Sequence, residues 1–159
     1  MAFDPAEQRR IMGSFATGVT VVTTNSTPPT GLTANAVTSL SLDPPLVLVA
    51  VDKKASSHQA FQDTGCFAMN ILSAQQQAIS NRFATPGPKD FSDLDIKTAE
   101  TGAPIIADSL GWVDCKLVEV LPGGDHDIFI GEIVAGELNP GEPLLYFAGK
   151  YRAVAPLEG

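Results

Sequence analysis

The sequence predicts a mainly β protein with short helices, folded as a closed or nearly closed antiparallel barrel. Two observations carry that expectation. Six or seven β-branched or apolar segments are separated by short turns rich in glycine, proline and asparagine. Helical patterns are confined to three small stretches, and regular βαβ alternation is missing, which disfavours a doubly wound sheet.

The first helix starts at Asp4, a capping residue followed by Pro5 at the first helical position and Glu7 as partner in a capping box. Ile11, Met12 and Phe15 form its expected buried stripe. Val19 to Thr24 is a β-branched strand, and Asn25 to Gly31 is a hairpin loop. Leu32 to Leu42 returns as a strand, interrupted by Asp43-Pro44-Pro45. The apolar run Leu46 to Val51 reads as a strand buried on both faces. A short helix is expected over Ser56 to Asp63 with Gly65 as its stop, then a strand from Cys66 to Leu72. Ser73 and Gln76 form a second capping box, opening a helix that runs to about Ala84. Thr85 to Ser92 is a loop. Trp112–Leu121 and Asp127–Leu138 pair across Pro122-Gly123-Gly124, and Leu144 to Val154 is one final strand.

With 159 residues and no linker or repeat, a single domain over 1–159 is expected. Charged residues make up 18% against a usual value of about 25%, which argues for a well-buried globular chain. The net charge of −8 repels phosphate backbones, so nucleic acid and anionic membranes are improbable partners. No apolar run is long enough for a membrane span, and the N-terminus lacks the pattern of a secretion signal, so a cytoplasmic location is expected. Cys66 and Cys115 read as small buried hydrophobes of a reducing compartment. With two histidines and no CxxC or HExxH, no metal site is expected. GxGxxG after a strand, GxxxxGK[ST] and GxSxG are all missing, so any nucleotide is held by another device.

Four segments carry candidate chemistry. Asp52-Lys53-Lys54-Ala55-Ser56-Ser57-His58 lies between a buried strand and a helix start, where free N–H groups, hydroxyls and lysines suit a phosphate. A solvated turn with a serine cap is the plainer reading. Thr33 to Leu42 is rich in small and hydroxylated residues, a poor core strand but a fitting wall for a flat ring. It reads equally as an exposed edge strand. His126 sits at the mouth of a strand after tandem glycine, in Gly123-Gly124-Asp125-His126, where a structural role is the default. Tyr146 and Tyr151 bracket Gly149 and either pack in the core or line an aromatic pocket.

In this order the four segments resemble the flavin reductase family, the FMN-binding split-barrel group. The family includes the reductase components of two-component flavin-dependent monooxygenases. The resemblance runs from about Met12 to Val154. It is carried by Phe15-Ala16-Thr17-Gly18-Val19-Thr20-Val21-Val22-Thr23, by Gly31 to Pro45, and by Pro143 to Arg152. It rests equally on the Gly124-Asp125-His126 signature, with Gly131 and Val134 in a GxxV-like continuation.

The resemblance implies an antiparallel, Greek-key-like split barrel that binds FMN or FAD and takes a hydride from NADH or NADPH. By the same resemblance, Thr33, Ala34, Asn35, Ala36, Val37, Thr38 and Ser39 contact the isoalloxazine and ribityl portions, largely through backbone. The loop of Lys53, Lys54, Ser56, Ser57 and His58 holds the phosphate, and Phe83 is the aromatic near the flavin. His126 meets the reduced nicotinamide, with Tyr146 and Tyr151 nearby. No catalytic acid or base is implied. A homodimer is implied, as is a partner monooxygenase served by diffusible reduced flavin. Two alternatives stay open at this point: a flavoprotein that keeps FMN permanently and passes electrons to a protein partner, or a non-catalytic flavin-binding barrel.

Overall fold

A computed structural model describes residues 2–158. Three helices, α1 (Pro5–Met12), α2 (His58–Thr64) and α3 (Gln77–Ala84), accompany antiparallel sheet. The main sheet uses β2 (Thr20–Thr24), β3 (Thr30–Ala34), β4 (Val37–Leu42), β5 (Pro45–Asp52), β6 (Cys66–Ile71), β9 (Gly111–Gly123) and β10 (His126–Leu138). Its strand order is β3-β2-β6-β9-β10-β5-β4. The smaller sheets are β1 (Thr17–Gly18) with β11 (Leu144–Phe147) and β12 (Lys150–Ala153), and β7 (Ile96–Lys97) with β8 (Ile105–Ile106).

The two outermost strands of the main sheet, β3 and β4, are consecutive in the chain and joined only by Asn35 and Ala36. Two residues reach about 10 Å at most between their flanking neighbours, so the two edges are drawn together at that point. The sheet therefore curls toward a barrel whose seam is split, with Asn35-Ala36 as the stitch. Thr20 Oγ1 donates to Ala34 O at 2.7 Å, and Ala50 N donates to Ala36 O at 2.9 Å, fixing the stitch from both sides. Inside lie Val22, Val49, Val51, Phe67, Cys115 and Phe129, with Phe61 of α2 closing one end. A second cluster, including Val21, Leu72, Phe83 and Leu144, sits under α3 and the β11–β12 hairpin.

Several sequence expectations are corrected here. The strands buried on both faces are β2 and β6, not β5. In β2 Val22 faces the barrel interior and Val21 the second cluster, and the buried threonine hydroxyls have partners: Thr23 donates to Pro104 O at 2.5 Å, Thr24 to Cys66 O at 2.8 Å. In β5 only Val47, Val49 and Val51 are buried, and Leu46, Leu48 and Ala50 face outward, half-exposed.

α1 buries none of its residues: Ile11 is 47% exposed and Met12 58%, and beyond the helix Phe15 is 69% exposed. Asp4 Oδ1 accepts from Ala6 N at 3.0 Å as expected, but Glu7 pairs with Arg10 at 2.6 Å, so the capping box does not close. α3 begins at Gln77, not Ser73, because the backbone of Ser73 and Ala74 is engaged by Glu142 and Pro143. Half of the box survives, with Ser73 N donating to Gln76 Oε1 at 2.9 Å.

Two expected strands each turn out to be two elements. Leu32–Leu42 divides at the stitch. Leu144–Val154 folds into the β11–β12 hairpin, whose two turn residues, Ala148 (φ 52°) and Gly149 (φ 76°), are both left-handed. Ala-Gly is a weak turn signal, since alanine rarely adopts that conformation. Cys66 and Cys115 are buried free thiols. Burial, with Asp114 alongside, pushes the Cys115 thiol up to about 12.

Candidate functional site

A cavity of about 370 Å³ opens beside the stitch. One wall is Thr33, Ala34, Asn35 and Ala36, where the chain crosses between the sheet edges. Asn35 and Ala36 are exposed to it, and Thr33 Oγ1 donates to Ser80 O of α3 at 2.6 Å, fixing the wall's angle. Side chains this small leave the backbone open to a ligand's edge. Phe83, buried on α3 and edge-on to Phe91 at 5.3 Å, also lines the cavity.

The opposite wall is the loop that follows β5. Asp52 Oδ1 accepts from Lys54 N at 2.8 Å and Asp52 O from Ala55 N at 3.0 Å, so a tight turn presents Lys54, Ser56 and Ser57 to the cavity. Ser57 is buried at the N-cap position just before α2, and its hydroxyl makes no capping bond to that helix. A buried hydroxyl left free by its own helix and facing a cavity is available to an anion, and Lys54 supplies a matching charge. These residues fit a phosphorylated ligand.

The β9–β10 turn completes the rim. Lys53 N donates to Asp125 O at 3.0 Å and His126 stands opposite Asp52 in the ladder, so the loop after β5 and the turn before β10 move as one piece. His126 lines the same cavity. Its Nδ1 lies 2.7 Å from Asp125 Oδ1, and this imidazole holds the exposed Asp125 carboxyl below its usual range.

The other predicted residues divide among neighbouring places. Val37 and Thr38 line a larger, apolar cavity of about 760 Å³ together with Met12, Phe15, Leu48 and Ile128. Tyr146 faces that cavity, and with Tyr151 it lines a small one of about 170 Å³. The two rings meet edge-on at 5.4 Å, and Tyr151 Oη shares a hydrogen bond with Ser80 Oγ at 2.6 Å. All three cavities touch Asn35. Ser39 and Lys53 line none of the three.

His58 also stands apart. Its Nε2 is spent on Asp127 Oδ2 at 2.7 Å, and its ring lies 5.3 Å from Phe129. Sequence reasoning missed Lys89, Thr85 and Pro86 on the rim. A lone lysine in a proline-rich loop of an acidic chain was the available signal for the first. Gly131 has a packing reason: a Cβ there would lie 2.4 Å from the Phe67 ring and 2.8 Å from Cys115 Cβ.

The fold is thus that of a small split-barrel protein with a ring-sized cavity at its seam and a phosphate-suited loop opposite. The chain belongs to the flavin reductase family, since the model of the flavin reductase like domain matches residues 12–155. It is 39% identical over 154 residues to the reductase component of a 4-nitrophenol 4-monooxygenase/4-nitrocatechol 2-monooxygenase from Rhodococcus opacus, covering 96% of this chain and 83% of that one. To an FMN reductase (NADH) from Agrobacterium fabrum it is 40% identical over 144 residues, covering 90% and 82%. A Streptomyces globisporus NADH:FAD oxidoreductase, solved in complex with NAD and FAD fragments, superposes with a TM-score of 0.90 at 39% identity, covering 98% of each chain.

Proposed function

We propose that this chain is an NAD(P)H-dependent flavin reductase, a single domain over 1–159 that reduces FMN or FAD. The observation that carries the reading is one cavity joining Thr33–Ala36, Lys54–Ser57, Phe83 and His126, segments far apart in sequence. A bare scaffold requires no such convergence of small wall, hydroxyl pair and cations.

When bound, flavin supplies the hydride-accepting N5, and reduced nicotinamide supplies the hydride from its C4. The chain's own work is to orient the two rings. Thr33–Ala36 presents backbone to the flavin's polar edge, and Phe83 backs the ring. Lys54, Ser56 and Ser57 hold the flavin phosphate by charge and hydrogen bonds, with Lys53 and His58 bracing that loop through Asp125 and Asp127. His126, at the open rim, holds the nicotinamide, and Tyr146 and Tyr151 shape the adjoining space. No proton transfer by the protein is needed, so geometry is the main contribution.

Two copies form the working unit in this reading. Met12 and Phe15, exposed in one chain, converge with Leu48 and Ile128 of the outer barrel face on the apolar cavity. Covering that face with a second copy buries it and walls the flavin site near Asn35. The monooxygenase reductase among its relatives supports a flavin-dependent monooxygenase as the recipient of diffusible reduced flavin. A steady-state assay crossing FMN and FAD with NADH and NADPH tests the reading. Oxidation of either nicotinamide that depends on added flavin is expected, and none with any pair refutes it.

A further inference from the structure

The wall of small residues beside the stitch is held from three directions. Two holds belong to the barrel: Thr20 Oγ1 on Ala34 O and Ala50 N on Ala36 O. The third comes from α3, where Ser80 O accepts from Thr33 Oγ1 at 2.6 Å. Ser80 is fully buried, and its own hydroxyl lies 2.6 Å from Tyr151 Oη of β12. Tyr151 Oη also donates to Asn81 Oδ1 at 3.1 Å. A phenol has one proton to give, so Ser80 Oγ is the donor in the shorter bond. One turn of α3 is therefore tied to β3 through a carbonyl and to β12 through a hydroxyl.

Neither Ser80 nor Tyr151 lines the flavin cavity. Both line the cavity of about 170 Å³ that shares Thr33 and Asn35 with it. Tyr151 is a fixed anchor, because its ring meets Tyr146 edge-on and Tyr146 stands between Tyr151 and Thr17 in the small sheet. Phe83, three residues beyond Ser80, is buried and does line the flavin cavity. Residues three apart on a helix are neighbours on one face, so a shift of Ser80 carries Phe83 with it. The same shift reaches the wall through Thr33.

Resting on the proposed flavin site, we infer that Ser80, anchored by Tyr151, is a positioning residue for hydride transfer. It sets the Thr33–Ala36 wall and Phe83 together around the isoalloxazine. Its influence falls on the ring and not on the phosphate, because Lys54, Ser56 and Ser57 stand on the opposite wall. Tyr151 acts here through α3, by its hydroxyl, and not by touching the nicotinamide. Hydride transfer needs its reacting atoms about 3–3.5 Å apart and aligned, so a small turn of the wall lowers rate without weakening the nicotinamide.

Ser80→Ala and Tyr151→Phe each delete one oxygen of the shared bond. Dissociation constants for FMN and riboflavin come from fluorescence quenching, alongside melting temperature and kcat and KM for NADH at saturating FMN. Each variant weakens FMN and riboflavin by the same factor, roughly two- to tenfold, and lowers kcat while KM for NADH stays at the wild-type value. The double variant is no worse than Tyr151→Phe alone, since both oxygens serve one bond. A lower melting temperature with unchanged flavin affinities and kcat makes the bond merely structural and overturns the assignment. A raised KM for NADH with unchanged flavin affinities makes Tyr151 a nicotinamide contact, which also overturns it. So do losses confined to FMN, or losses that add in the double variant. Binding of neither flavin by wild type removes the parent reading itself.

Discussion

The chain's two histidines each contact an aspartate at 2.7 Å, yet they sit in opposite surroundings. His58 and Asp127 are sealed between α2 and β10, with 12% and 17% of their side chains exposed. His126 and Asp125, at the mouth of the same strand, are 39% and 91% exposed. Buried, such a pair is structural, because losing one partner strands the other away from water. At the rim the same contact is screened and weak, which leaves the imidazole free to exchange its aspartate for a ligand. Adjacent residues of β10 thus differ in setting, Asp127 tied to His58 at the start of α2 and His126 on the cavity rim, where the proposed function puts the second substrate.

The contrast is broken most directly from its buried side. His58→Ala is expected to cost about 1.5–3 kcal/mol of stability, seen as a lower denaturant midpoint, because Asp127 loses its hydrogen-bond partner in a part-buried site. A midpoint equal to wild type would place His58 among dispensable surface residues. Farther along β10, Gly131→Ala forces a methyl against Phe67 and Cys115, and a loss of about 1–3 kcal/mol is expected in the same measurement.

His126→Ala sharpens the exposed side. It should lower kcat/KM for the nicotinamide by roughly five- to 150-fold while melting temperature and flavin affinity stay near wild type. Parallel loss of stability and both ligands would instead make His126 a turn-pinning residue. The smallest effect is expected for Asp125→Asn. Because the folded-state carboxyl is held low by His126, any stabilisation it brings exists above the ordinary aspartate range, near ~4, and disappears as pH falls below it. Melting curves of this variant and wild type should therefore differ slightly, if at all, at neutral pH and coincide once the pH is well below that range.

The two histidines also show what the sequence could reveal. His126 stood out because tandem glycine marks a strand mouth, and Lys54, Ser56 and Ser57 because hydroxyls and lysines at a helix start suit an anion as well as a solvated turn; the fold brings them to one cavity. His58, in that same run, was misleading, since only the fold shows that Asp127 claims it. Of β2 and β5, only β5 had a burial expectation, both faces covered, and it fails; the full burial of β2 was not legible, because its Thr hydroxyls need carbonyls such as Pro104 O from distant segments. The stripe of α1 was legible as apolar, but periodicity cannot say whether its cover lies in the same chain. Lys89, Thr85 and Pro86 stayed hidden because they reach the rim only through tertiary packing of the loop after α3.

The central claim, that the cavity beside Asn35 and Ala36 is a flavin site read through its phosphate, is tested most directly by titrating riboflavin and FMN into wild type and a Ser56→Ala/Ser57→Ala variant. Fluorescence quenching gives affinity, and thermal shift reports the same binding by mass action. Wild type should bind FMN and be stabilised by it. The variant should lose roughly 1.5–3 kcal/mol per hydroxyl of FMN affinity before non-additivity, while riboflavin binding barely changes. Equal losses for both ligands, or a wild type that neither FMN nor FAD quenches or stabilises at hundreds of micromolar, would contradict the account.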